Sequence, residues 1–296
     1  MASELCCRAF DDALAGGPTL GGEFLDSQVQ FQRSTLGLMS PNITPKTGRL
    51  VGRTALVTGS TGGLGVAIAR ALAAEGAFVV VSGRNKQNGD EVVAGIRAAG
   101  GDATFVAADL ASGEAGARAL AEQAAAAAGG RLDVLVNNAA TLLMPKPTAD
   151  IGERELQEAF AVNVFAPFLL TGLIAPTMAE RGLGAVVNIG SNTGLRGSAG
   201  SAVYSGSKAV IHSFTKSWAD EYGPSGVRVN AVAPGPIATE RAVEFAEHVK
   251  PMLARIPSRR MSTPEEVAAA VVFLASDDAA NIHGAVLSVD GGWAAV

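Results

Sequence analysis

Cysteine is almost missing from this sequence: its 296 residues hold two, Cys6 and Cys7, side by side. Adjacent cysteines close no useful loop and lack zinc-ligand spacing, so neither a disulfide framework nor a metal site organises the chain. Histidine is scarce too. His212, His248 and His283 lie far apart without a carboxylate signature, which assigns them to packing or surface roles, and no bound metal is expected. Basic charge is not in excess: 23 Lys and Arg against 28 Asp and Glu leave a net charge of -5, and with it no footprint for nucleic acid. No run reaches the ~20 apolar residues that span a bilayer, and the first 30 residues lack a basic start followed by an apolar stretch. A cytoplasmic location is therefore the default expectation, with no membrane partner.

Apolar residues, at 48%, are ample for a core, and 36 glycines against 13 prolines without a three-residue period point to tight turns or close backbone approach. Residues 1 to 48 carry Gly16-Gly17-Pro18, Gly21-Gly22, Pro41 and Pro45 with no sustained periodicity. They read as a poorly ordered, dispensable extension, with Met39 a candidate start. Residues 49 to 296 read as one domain. From Thr54 onward short apolar runs alternate with helix-length segments: Thr54 to Thr58, Ala77 to Val81, Ala103 to Ala107, Leu132 to Val136, Ala185 to Ile189, Val227 to Val232 and Ala285 to Val289. Seven strands in that rhythm predict an α/β fold, a doubly wound parallel sheet with helices on both faces.

The first chemical signal follows the first strand: Gly59, Ser60, Thr61, Gly62, Gly63, Leu64 and Gly65 form a glycine-rich turn opening a helix. Such a turn brings backbone N–H groups and the positive end of a helix dipole to a pyrophosphate. At the tip of the second strand Ser82-Gly83 precedes Arg84 and Asn85. No carboxylate is present there for a ribose hydroxyl, whereas a guanidinium can pair with a 2′-phosphate, which favours NADP(H) over NAD(H).

The second signal is Tyr204 with Lys208 four residues on, on one face if the segment is helical. An ammonium near a phenol favours phenolate and would equip Tyr204 for proton transfer. Ser191 lies 13 residues before Tyr204, at the end of the run Val186 to Gly190, where open parallel sheets place their ligands.

Together these residues resemble the short-chain dehydrogenase/reductase family over residues 50 to 296. The Thr58–Gly65 turn, Asp109-Leu110, Asn137-Asn138-Ala139, Asn163, Ser191, Tyr204, Lys208, Pro234-Gly235, Thr239 and the terminal Val289-Asp290-Gly291-Gly292 occur in the family's order. The resemblance implies a ketone/secondary-alcohol oxidoreductase with Tyr204 as proton donor and Ser191 bonded to the carbonyl oxygen. Lys208 would hold the nicotinamide ribose and lower the tyrosine pKa. Asn163 would shape the active-site helix and support a proton relay. Asp109 and Leu110 would flank the adenine and Asn138, beside Ala139, the ribose. Pro234, Gly235, Ile237 and Thr239 would hold the carboxamide end of the nicotinamide, and a homotetramer is implied.

Two positions depart from the family pattern: Ala140 replaces a glycine, and Gly62 stands where many NADP-preferring relatives carry a basic residue. NADP preference thus rests on Arg84, with Asn85 and Lys86 as helpers. Glu240 to Thr263 is the expected substrate lid, mixing Phe245, Met252, Leu253, Ile256 and Met261 with Arg241, Lys250, Arg255, Arg259 and Arg260. The apolar members fit an apolar carbonyl compound, and the basic ones would either face water or guide an acyl-carrier-protein partner or thioester; the pattern is similar to 3-oxoacyl-carrier-protein reductases. The alternatives are a sugar-acid or polyol dehydrogenase and, in another class, a non-catalytic cofactor sensor or scaffold.

Overall fold

The computed structural model describes residues 48–243 and 246–296. The expected N-terminal extension therefore lies outside the described residues apart from Gly48, as does Phe245 of the expected lid.

Seven parallel strands form one sheet in the order β3-β2-β1-β4-β5-β6-β7. In chain order they are β1 (Thr54–Val57), β2 (Phe78–Gly83), β3 (Asp102–Ala107), β4 (Val134–Asn137), β5 (Gly184–Ile189), β6 (Val227–Pro234) and β7 (Val286–Val289). The helices are α1 (Gly63–Ala74), α2 (Lys86–Ala98), α3 (Glu114–Ala127), α4 (Glu153–Phe160), α5 (Ala166–Glu180), α6 (Ala202–Tyr222), α7 (Ala246–Leu253) and α8 (Pro264–Ala275). Strand ends differ from the sequence expectation by one to two residues and the element types agree throughout.

The period-2 geometry of a strand sends neighbouring side chains to opposite faces, and here both faces are covered. Ala55 and Val57 of β1, Val79 and Val81 of β2 and Val134 and Val136 of β4 join a core completed by Ile68 and Leu72 of α1, Ile96 of α2 and Val271 of α8. Leu56, Val80 and Leu135, one residue out of phase, join the opposite core with Leu120 of α3, Leu170 and Ile174 of α5 and Trp218 of α6. Burial on two faces is why these strands read as unbroken apolar runs and not as alternating ones.

Helices α4 and α5 are joined by a π-helical turn, Ala161–Phe165, making a continuous helical segment from Glu153 to Glu180. This corrects one expectation. By length and composition that segment is apolar enough to cross a bilayer, yet half of its apolar window is buried inside the protein. It is the core helix of a two-faced sheet, and its hydrophobicity is explained by packing on β4, β5 and α3.

Candidate active site

The strand order reverses between β1 and β4, so their C-terminal ends part and leave a crevice, the place where open α/β sheets bind ligands. The two loops bounding it are tied together. The Thr58 hydroxyl oxygen accepts the backbone N–H groups of Asn138 and Ala139, both at 3.0 Å, and the Asn138 amide donates to the carbonyls of Thr58 at 2.8 Å and Gly59 at 3.1 Å. Only glycine fits at position 59: its φ is +63°, and a Cβ there would come within 2.8 Å of the Ala139 Cα. A Cβ at Gly65 would strike the Gly59 carbonyl, so its absence lets α1 start directly behind the turn.

The crevice opens into a cleft of about 480 Å³. Gly62 caps α1 without a side-chain hydrogen bond, and no acidic residue stands in the first helical turn. The N–H groups and positive dipole end of α1 therefore face the cleft uncompensated, which suits the diphosphate of a dinucleotide. Arg84, exposed at the tip of β2, lines the same cleft with Asp109 and Leu110 from the end of β3. Asp109 also accepts the Ala111 N–H at 3.1 Å, which fixes the turn after the strand. The donor set fits a nicotinamide dinucleotide with its adenosine end beside Arg84.

At the other end of the cleft Tyr204 stands in the first turn of α6 with Val162, Thr141 and Leu142 near it. Ser191 and Lys208 lie beneath, both buried. Lys208 donates from Nζ to the Ile189 carbonyl at 2.7 Å, and the Ser191 hydroxyl is held by Thr193, whose N–H it accepts at 3.2 Å. Asn163, in the π-helical turn, accepts the Thr141 N–H at 2.7 Å, donates to the Thr141 carbonyl at 3.0 Å and reaches Ser207 of α6 at 3.2 Å. One amide thus locks the loop after β4 to the helix carrying Tyr204. The extra residue of a π turn is what turns Asn163 inward at this point.

Electrostatics follow burial. Tyr204 is pushed up to about 12 by loss of water, against the downward pull of Ser191. Lys208 is pushed down to about 8 by the same cause. The net direction for Tyr204 is therefore upward, with Ser191 as its lowering partner, while the hydrogen bond of the Lys208 ammonium goes to the Ile189 carbonyl.

Of the residues singled out in the sequence, Gly59, Thr61, Gly63, Leu64, Gly65, Arg84, Asp109, Leu110, Asn138, Ala139, Tyr204 and Thr239 border the cleft. Ser60 and Asn85 have structural work instead. The buried Ser60 hydroxyl donates to the Val57 carbonyl at 2.7 Å and accepts the Ser82 N–H at 3.0 Å, while Asn85 caps α2 through Asn88. Lys86, the other expected helper of Arg84, pairs with Asp90 at 2.6 Å on the surface of α2. Pro234, Gly235 and Ile237 lie at and just beyond the end of β6, where Gly235 bonds to Val289 and Ile237 bridges to Ser262. From the expected lid only Glu240 borders the cleft among the described residues. Ile256 is fully buried in the core, and Arg260 pairs with Glu266 at 2.6 Å. His212, assigned to packing or surface from the sequence, lies directly under Ser191. The signal was its spacing, since Tyr204, Lys208 and His212 follow at intervals of four along one helix face.

Residues 59–294 match the family model described as Enoyl-(Acyl carrier protein) reductase. The chain is 38% identical over 251 residues to a cyclopentanol dehydrogenase of Comamonas sp. (strain NCIMB 9872), covering 84% of this chain and 99% of that protein. It is 40% identical over 245 residues to cis-4-hydroxycyclohexanecarboxylate dehydrogenase of Sinomonas cyclohexanicum, covering 82% and 97%. A crystal structure from Beutenbergia cavernae, assigned as an NAD(P)-dependent gluconate 5-dehydrogenase with NADP bound at low occupancy, superposes with a TM-score of 0.79 at 39% identity, over 85% of this chain and 100% of that one.

Proposed function

The chain belongs to the short-chain dehydrogenase/reductase family, and on that premise we propose that it is an NADP(H)-dependent dehydrogenase interconverting an apolar, alicyclic secondary alcohol and its ketone. The observation that carries the chemistry is Tyr204 on the cleft wall with the buried Ser191 as its hydrogen-bond partner and the buried Lys208 ammonium 5.7 Å from its ring centre. The bound cofactor supplies or accepts the hydride. Tyr204, protonated at neutral pH, donates its proton to the carbonyl oxygen during reduction while Ser191 hydrogen-bonds that oxygen, so C=O becomes CH–OH. Lys208 holds the nicotinamide ribose, and Asn163 keeps the Thr141 loop and α6 in register.

The substrate class rests on the side chains around Tyr204. Thr141, Leu142 and Val162 border the cleft there, and Leu142, Met144 and Leu195, on the loops after β4 and β5, expose apolar surface. A ring hydrocarbon gains from such a rim, whereas a sugar acid would leave its hydroxyls unpaired against it. Two relatives act by name on five- and six-membered rings, which agrees. Engagement of Arg260 by Glu266 weighs against the 3-oxoacyl-carrier reading. Cofactor preference for NADP(H) rests on Arg84 at a strand tip without a carboxylate. We further assign the molecule to a homo-oligomer, most simply a tetramer, through α5 and α6. Phe165 and Phe168 are 55% and 51% exposed, and Phe168 continues inward into Phe214 at 5.4 Å and Trp218 at 6.1 Å between ring centres.

The test is a panel of cyclopentanol, cyclohexanol, gluconate and a 3-oxoacyl thioester with NADP(H) and NAD(H). Turnover of the alicyclic alcohols with NADP is expected. Turnover of gluconate or the thioester alone overturns the substrate class, and no turnover of any overturns the enzymatic reading.

A further inference from the structure

The Ser191 N–H is buried at the end of β5, and a buried N–H requires a partner. Its partner is His212 Nε2, at a long 3.4 Å. The backbone around this bond is shaped to the ring. A Cβ at Gly190 would strike His212 Nε2, and one at Gly194 would come within 2.9 Å of His212 Cε1. The strand end and the following turn thus both lack side chains where the imidazole sits. One turn earlier on α6, Lys208 grips the Ile189 carbonyl. Two successive turns of α6 therefore hold residues 189 and 191, on either side of the bare Gly190. His212 is itself 5% exposed and stays outside the cleft lining, so it reaches the reacting atoms only through Ser191.

We propose that His212 is a positioning residue for Ser191: its neutral imidazole, inserted where Gly190 and Gly194 leave room, accepts the Ser191 N–H and sets the placement of the Ser191 hydroxyl beneath the substrate carbonyl. The proposal rests on the reading of Ser191 as the carbonyl-oxygen partner. Accepting at Nε2 puts the ring proton on Nδ1, which is buried and has no hydrogen-bond partner among the described residues, and requires an uncharged ring. The surroundings keep it so. Burial and the charges of Lys208 and Lys216 hold His212 down to about 4. Neither β5 nor the turn after it carries a charged side chain, and Arg228 of the neighbouring β6 is bonded to the carbonyls of Leu274, Ala275 and Ser276.

Four variants of the full chain, assayed with a substrate from the panel above, test this. His212→Leu keeps the bulk and removes the acceptor, and should lower kcat about ten- to a hundredfold, the scale of a slightly misplaced catalytic group, with the KM for cofactor little changed and the Tm lowered by a few degrees as the buried Ser191 N–H loses its partner. His212→Gln, whose amide oxygen can accept the same N–H, should restore most of kcat. In a Ser191→Ala background, His212→Leu should add no further loss. Full activity in Ser191→Ala sinks the site reading itself. Loss in Ser191→Ala together with an unaffected His212→Leu, or additive losses in the double variant, sinks the positioning role alone. Nitrogen NMR of the unmodified protein gives a readout independent of variant folding: the Nδ1–H tautomer is expected at neutral pH, and finding Nε2–H or an imidazolium overturns the proposal.

Discussion

The Lys208 ammonium lies 5.7 Å from the centre of the Tyr204 ring, one helical turn further along α6, and spends its hydrogen bond on the Ile189 carbonyl at 2.7 Å. Lys208 is buried and Tyr204 half-buried on the cleft wall, and loss of water pulls the two groups in opposite senses, the phenol up to about 12 and the ammonium down to about 8. Each group is thereby biased toward its neutral form in the ligand-free protein.

That bias makes Tyr204 an acid first. Tyr204→Phe should cut kcat for ketone reduction at least ~100-fold, the usual scale for a lost general acid, while the affinity for NADPH, followed by fluorescence titration, stays within about twofold. A variant retaining most of its activity would remove Tyr204 from the mechanism.

Lys208 should leave a mark on stability. Between about 8 and 10.5 the unfolded chain carries a proton on this lysine that the folded chain does not, so stability rises with pH across that window. Tyr204 acts oppositely, but only above pH 10, its ordinary value. Denaturant unfolding from pH 8 to 10 should therefore show the unmodified protein gaining on Lys208→Met by up to about 1.4 kcal/mol per pH unit. Parallel curves would show that the ammonium is solvated.

Arg84→Ala should raise the KM for NADPH roughly ten- to 150-fold and leave that for NADH nearly unchanged, since a charge-assisted guanidinium–phosphate pair contributes about 1.5–3 kcal/mol. Reversing the preference takes more than one substitution. A Cβ at Gly83 would lie 2.6 Å from Thr61 Oγ1 and 2.8 Å from its Cγ2, so Gly83→Asp alone pushes into the glycine turn and should weaken both cofactors. Adding Thr61→Ala removes both atoms and should recover NADH binding. Recovery without it would show that the turn yields.

Phe168 is 51% exposed, and the oligomer proposed above would cover it. Phe168→Glu places a charge on that face and should shift light scattering from the oligomer toward smaller species without loss of helix signal. An unmodified protein that scatters as a monomer at working concentration would contradict the oligomer assignment directly.

The sequence by itself determined the fold class and the order of elements. Seven apolar runs spaced by helix-length segments admit few other packings, because strands buried on both faces must be apolar without a break. It also determined the cleft's principal residues, since the glycines after β1 and the Tyr204–Lys208 spacing are local patterns that chain geometry reads directly. The apolar length from Ala159 to Ala179 went unremarked in the sequence, and hydrophobicity along a chain does not by itself tell a sheet-covering helix from a bilayer-spanning one. The tertiary structure alone decided what touches what. Ser60 and Asn85 came to hydrogen-bond their neighbours, Ile256 went to the core, Thr61 closed the space at Gly83, and burial moved Tyr204 upward. His212 came to lie under Ser191 across 21 residues of sequence. Desolvation and close approach depend on every chain segment that arrives at a point, and no local spacing carries that information.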